Sequence, residues 1–131
     1  MLKKIIIIAF LIFSTGMAFS QPADCFKFKE GKFSIADTRV GTVIIAERRS
    51  AYQTESSETL KAIVRFKITW QDNCSYTLKL DKVIRNENKI DFPSNMEIRV
   101  KITGISANSY TQETTSSLTN GTYNVVVTRI N

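Results

Sequence analysis

Arg48, Gln53 and Glu55 are the residues in this chain whose types and spacing invite a chemical reading. Gln53 and Glu55 stand two apart, so an extended chain projects both to the same side. Arg48 can reach the same space from the preceding arm. Facing an enclosed interior, the three would form a buried polar network able to fix the polar end of a ligand. Facing solvent, they would be a strand pair with surface salt bridges, each worth little. Charged side chains are rarely buried unless paired, so the solvated arrangement is the expected one. A second set is aromatic: Phe66, Trp70 and Tyr76 share the apolar parity of one long segment. They either line a ligand cavity or fill a core.

Other chemistry finds little support. The chain has no histidine, which removes the usual general base and the commonest metal ligand. Asp37 with Thr38, and Asp72 with Asn73, are isolated turn residues rather than the clustered oxygens that calcium requires. Glu47 and Glu55 flank Arg48, but no carboxylate spacing suggests a pair facing one sugar. We therefore expect no catalytic residues, no metal site and no cofactor, that is, a protein that is not an enzyme.

The elements that must position these residues are strands. Ala62, Val64, Phe66, Ile68 and Trp70 alternate with Lys61, Arg65, Lys67 and Thr69. After Gln71-Asp72-Asn73 the alternation resumes with Cys74, Tyr76, Leu78 and Leu80 inward. Period-two patterning on both sides of a short polar break predicts a half-buried β-hairpin. A phase shift near Lys82 predicts a bulge there. Further strands are expected at Gly31–Ala36, Thr42–Glu47, Tyr52–Glu55, Met96–Thr103, Ser109–Thr115 (polar, an edge or solvated strand) and Tyr123–Ile130. Asn120-Gly121 is the strongest short hairpin signal. No segment sustains helical apolar spacing.

Seven or eight short strands with short turns predict an all-β fold, a single antiparallel up-and-down meander closed or nearly closed into a barrel. Closure removes edge strands. A β-sandwich is the competitor, and only residues 85–95 offer the long connection it needs.

Met1-Leu-Lys3-Lys4, the apolar run Ile5–Phe13 and the small residues Ala18 and Ser20 have the form of a secretory signal peptide over residues 1–20. The apolar run is well short of the roughly 20 residues that span a bilayer. One domain, 21–131, follows, with no transmembrane helix expected in it. Pro22-Ala23-Asp24 lacks the pattern that lipid attachment at Cys25 would need. Export, to the periplasm or outside the cell, makes Cys25 and Cys74 a disulfide by compartment and count. The net charge of +6 falls to +4 without Lys3 and Lys4. It is dispersed among acidic residues, so nucleic acid is not an expected partner.

Gly31-Lys32-Phe33 on the first strand and Arg129 on the last resemble the Gly-x-Trp and terminal Arg pairing of calycins, the superfamily of lipocalins and fatty-acid-binding proteins. Phe33 stands where that family usually has Trp. The resemblance implies a barrel whose closed end is capped by Phe33 with Arg129 packed over it. Cys25…Gly31-x-Phe33, Arg48…Gln53-x-Glu55 and Trp70-x-x-x-Cys74-x-Tyr76 are also similar to a group of small exported β-proteins of Gram-negative bacteria. That similarity implies no activity.

Two functions follow as expectations. One is an exported, monomeric, non-enzymatic binding module holding a small apolar or amphipathic ligand against Arg48, Gln53, Glu55, Phe66, Trp70 and Tyr76. The other is a protein-interaction module, an inhibitor or envelope accessory, with a filled core. A pocket above roughly 300 Å³ reached from one open end would favour the first. A filled interior with a protruding Ile90-Asp-Phe92-Pro93 loop would favour the second. So many large inward side chains favour a filled interior.

Overall fold

Residue alternation becomes eight strands: β1 (Gly31–Asp37), β2 (Thr42–Arg49), β3 (Tyr52–Ser57), β4 (Ala62–Asp72), β5 (Ser75–Asn86), β6 (Glu97–Ile105), β7 (Ser109–Ser116) and β8 (Thr122–Arg129). The structure, a computed structural model, describes residues 23–37 and 41–131. The expected signal peptide and part of the Asp37–Gly41 turn lie outside the described residues. Each strand pairs antiparallel with its neighbours in sequence, and β1 closes on β8. Phe33 lies opposite Arg129, Ser34 opposite Thr128 and Ile35 opposite Val127. The result is a closed up-and-down barrel, not a sandwich.

Closure corrects one expectation directly. β7, polar enough to suggest an edge, runs between β6 and β8 over its whole length. Its inward residues Tyr110, Gln112 and Thr114 are buried. In a barrel every strand has one face inside, so polar composition no longer marks an edge. The central hairpin behaves as its pattern predicts, with Ala62, Val64, Phe66, Ile68, Cys74, Tyr76 and Leu78 buried. The phase shift near Lys82 resolves into two extra residues on β5, Asp81 and Ile84, where Phe66 pairs with Leu80, Arg65 with Lys82, Val64 with Val83 and Ile63 with Arg85.

The two barrel ends differ. A short 3-10 helix over Ala23–Phe28, which the sequence pattern did not reveal, lies at the end where β1 begins and β8 finishes. The Cys25–Cys74 disulfide ties this helix to the β4–β5 turn. The Arg129 guanidinium lies 5.0 Å from the centre of the Phe33 ring and 5.6 Å from that of Phe28. It donates to the carbonyls of Glu30 and Lys27. Gly31 adopts φ +133°, and a Cβ there would run into that guanidinium. Only glycine suits both the backbone and the close approach.

At the opposite end β5 outruns β6, pairing with it only over Ser75–Lys79. The connection through residues 87–96 folds inward there: Leu80 donates its backbone N–H to the Met96 carbonyl, and Phe92 and Met96 pack against the core. In the Ile90-Asp-Phe92-Pro93 segment, Phe92 is therefore half-buried against the core rather than protruding. Among the described residues no helix is long and apolar enough to cross a membrane.

Candidate functional site

β2 and β3 leave their even and odd positions, respectively, facing the interior. On β2 these are Thr42, Ile44, Ala46 and Arg48; on β3 they are Gln53, Glu55 and Ser57, and Arg48 pairs directly with Gln53. The expectation of a solvated salt-bridge pair is therefore overturned for Arg48 and Gln53, which are 2% and 1% exposed. Strand parity, not side-chain polarity, decides which way they point. Once closure commits β2 through Ala46, Arg48 two residues later has no other side to occupy.

Burial is tolerated because every guanidinium nitrogen is engaged. Arg48 Nε donates to Gln53 Oε1 at 2.7 Å, and Nη1 donates to the Phe28 carbonyl at 2.9 Å. Nη2 donates to the Tyr76 hydroxyl at 2.6 Å and to the Tyr110 hydroxyl. Aromatic rings box it in: its carbon lies 4.6 Å from the centre of Phe33, 4.8 Å from Tyr76 and 5.5 Å from Tyr110. Among the described residues no buried side-chain nitrogen or oxygen lacks a hydrogen-bond partner. Burial pulls the Arg48 pKa down, but Tyr76, Tyr110 and Glu55 outweigh it, so the group stays cationic. Burial likewise pushes the Tyr76 phenol well above its ordinary value, with Arg48 opposing.

Above this plug the barrel is hollow. A cavity of about 210 Å³ is walled mainly by Ile35, Val64, Phe66, Leu78, Val100 and Val125, and Phe92 and Met96 from the inward-folded connection also line it. Its polar lining includes Gln53, Glu55, Tyr76, Gln112 and Thr114. The interior is thus filled at one end and open at the other, where the sequence favoured filling throughout.

The sequence-derived site residues divide accordingly. Gln53, Glu55, Phe66 and Tyr76 line the cavity. Arg48 sits behind them, reaching the wall only through Gln53 and Tyr76. Trp70 does not line it. Its ring packs 4.7 Å from that of Tyr76 with Lys29 Nζ 5.3 Å from its centre, because the inward face of β4 has by then reached the capped end. Cys25, Cys74, Phe33 and Arg129 belong to that cap. Tyr110, Gln112 and Thr114 were missed as site residues. Their shared parity was the available signal, since three inward polar groups in a row need an internal partner.

Among the described residues, Glu55 is the carboxyl on the cavity wall, which also carries the phenols of Tyr76 and Tyr123. It is half-buried, its exposure being to the cavity that it lines. Removal from water raises its pKa from 4.5 to about 7, and the Arg48 charge and a hydrogen bond with Gln53 hold it from rising further. A carboxyl whose folded pKa is raised binds its proton more tightly in the folded than in the unfolded chain. Its contribution to stability is therefore complete below pH about 4.5 and is lost as pH rises through about 7. The full span is on the order of 3 kcal/mol. Glu55→Gln should remove this slope, so that urea midpoints at pH 5 and pH 8 differ less than in the parent protein. Parallel pH profiles for the two proteins would show that Glu55 titrates normally.

No protein-family model, curated protein or solved structure matches the chain.

Proposed function

We propose that the protein is an exported, non-enzymatic binding module that holds one small, mainly apolar ligand inside a calycin-like barrel. The observation that carries this reading is the cavity itself: about 210 Å³ of apolar-walled space ending on a few convergent polar groups. That combination is the usual composition of a small-molecule site. The volume is below the roughly 300 Å³ typical of drug-sized ligands but above the ~150 Å³ apolar cavity that admits benzene. The ligand is accordingly small, on the scale of an aromatic ring or a short alkyl chain.

The test is a titration of the purified protein with benzene, n-hexanol and n-hexylamine, followed by nuclear magnetic resonance of the methyl groups of Ile35, Val64, Leu78, Val100 and Val125. Saturable shifts confined to these residues are expected. Val125→Phe, which places a ring in the cavity, should weaken binding at least about tenfold while the protein stays folded. Shifts scattered over the exterior, or none, would end this reading.

A second reading, a protein-interaction module, draws on the exposed Val83 and Ile84 of β5, which lie beyond its pairing with β6. Failure of every small ligand to bind would leave that reading in place.

A further inference from the structure

The polar part of the cavity wall is asymmetric. Two hydrogen-bond chains start from the Arg48 guanidinium and run toward the cavity. In the first, Arg48 Nε donates to Gln53 Oε1 at 2.7 Å, and Gln53 in turn hydrogen-bonds the Glu55 carboxylate. With the Gln53 oxygen already accepting, its amide nitrogen is the donor to Glu55. In the second, Arg48 Nη2 donates to the Tyr76 hydroxyl, Tyr76 donates to Gln112 Oε1 at 3.2 Å, and Gln112 Nε2 donates to Thr114 Oγ1 at 2.9 Å. The positive charge is thus shut behind the wall, each of its nitrogens donating to a protein acceptor. What reaches the cavity at the end of the first chain is a carboxylate, which only accepts while ionised.

An anionic ligand meets no cationic side chain among the described residues that line the cavity. Arg48 does not line the cavity, and a ligand carboxylate would stand against Glu55. A ligand that donates is well matched, and one that also carries positive charge is matched best, because charge-assisted hydrogen bonds are about twice as strong as neutral ones. We infer that the cavity is selective for small apolar ligands bearing a hydrogen-bond-donating polar end, amines foremost, with Glu55 as their acceptor, and that it discriminates against fatty-acid-like carboxylates. This inference rests on the proposal that the cavity is a binding site.

Several groups act on Glu55. Arg48 of β2 favours its ionised form, as does Gln53 of β3 through its hydrogen bond. The phenols of Tyr76 on β5 and Tyr110 on β7 are held by Arg48. Because Glu55 titrates near 7, an ammonium ligand meets an ionised partner at pH 8 and a neutral one at pH 5.5. Its affinity should fall about tenfold per pH unit below about 7, as expected where one proton competes with one ligand.

The experiment compares n-hexylamine, n-hexanol and n-hexanoate, three ligands with the same tail, by calorimetric titration of the purified protein at pH 8 and pH 5.5. Expected at pH 8 is the order amine, alcohol, carboxylate, with the amine at least about tenfold tighter than the carboxylate. At pH 5.5 the amine should weaken at least about tenfold while the alcohol changes less than about threefold. In Glu55→Gln, checked for folding by circular dichroism, the amine should lose both its pH dependence and its advantage over the alcohol. Hexanoate binding as tightly as hexylamine, or amine affinity equal at the two pH values, overturns the inference while leaving the binding module intact. Absence of binding by all three ligands overturns both.

Discussion

Arg48→Met should cost about 3–5 kcal/mol of stability, the usual consequence of removing one member of a buried charged network. Methionine matches the apolar stem of arginine and would still pack among Phe33, Tyr76 and Tyr110. It leaves the Gln53 oxygen, the Phe28 carbonyl and two phenolic oxygens without their donor in a region closed to water. Each such orphaned group costs about 1–3 kcal/mol, although relaxation and shared donors keep the total below the sum. Glu55 also loses its nearby positive charge, so its pKa should climb further above 7. Denaturant melts at pH 7 provide the measurement, and the thermal midpoint should fall by at least about 12 °C for a domain of this size. Arg48→Lys should recover only part of the loss, because an ammonium cannot reproduce the planar fork that serves four acceptors at once. A loss below about 1 kcal/mol in Arg48→Met would mean that water enters the plug and replaces the guanidinium.

Reduction of the Cys25–Cys74 bridge should be comparably costly, at about 4 kcal/mol. The two cysteines are 49 residues apart, and the chain-entropy model assigns a closed loop of that length roughly this value. A small barrel buries a limited core, so the loss is a large part of its net stability. The structure adds a second effect. The bridge holds down the Ala23–Phe28 helix, whose Phe28 carbonyl is one of the Arg48 acceptors and whose Phe28 ring packs 4.8 Å from Tyr110. Freeing the helix therefore loosens the roof of the charged plug as well as the unfolded-state constraint. Urea melts with and without dithiothreitol, repeated on Cys25→Ala/Cys74→Ala, test this. The double variant should resemble the reduced protein and should not respond to reductant. A shift under about 1 kcal/mol would mean that barrel closure alone positions the helix.

Legibility in the sequence followed the physics of each element. The β4–β5 hairpin was readable because a strand with one buried face needs alternating side chains, and residues 62–80 satisfy that need with few exceptions. Gly31, Phe33 and Arg129 were grouped through a resemblance alone, and it is the structure that shows a positive φ and a close approach restricting the first of them to glycine. The site was half legible. The parity shared by Gln53 and Glu55 put them on one wall, and Arg48 was correctly grouped with them. Its orientation was misjudged, because the general rarity of buried charge says nothing about a position that already has four acceptors waiting.

Three of those acceptors come from elements far apart in the chain. Phe28 precedes Arg48 by 20 residues, Tyr76 follows it by 28 and Tyr110 by 62. Local pattern determined where the strands lie, which face of the central hairpin is apolar, and which two cysteines were available to pair. Closure of β1 on β8 decided the rest, because it converts each strand's two faces into an inside and an outside. It turned the polar face of β7 inward, carried Trp70 to the capped end away from the cavity, and buried Arg48 behind Gln53 and Tyr76 so that, among the described residues, Glu55 alone brings an ionisable carboxyl to the hollow half of the barrel.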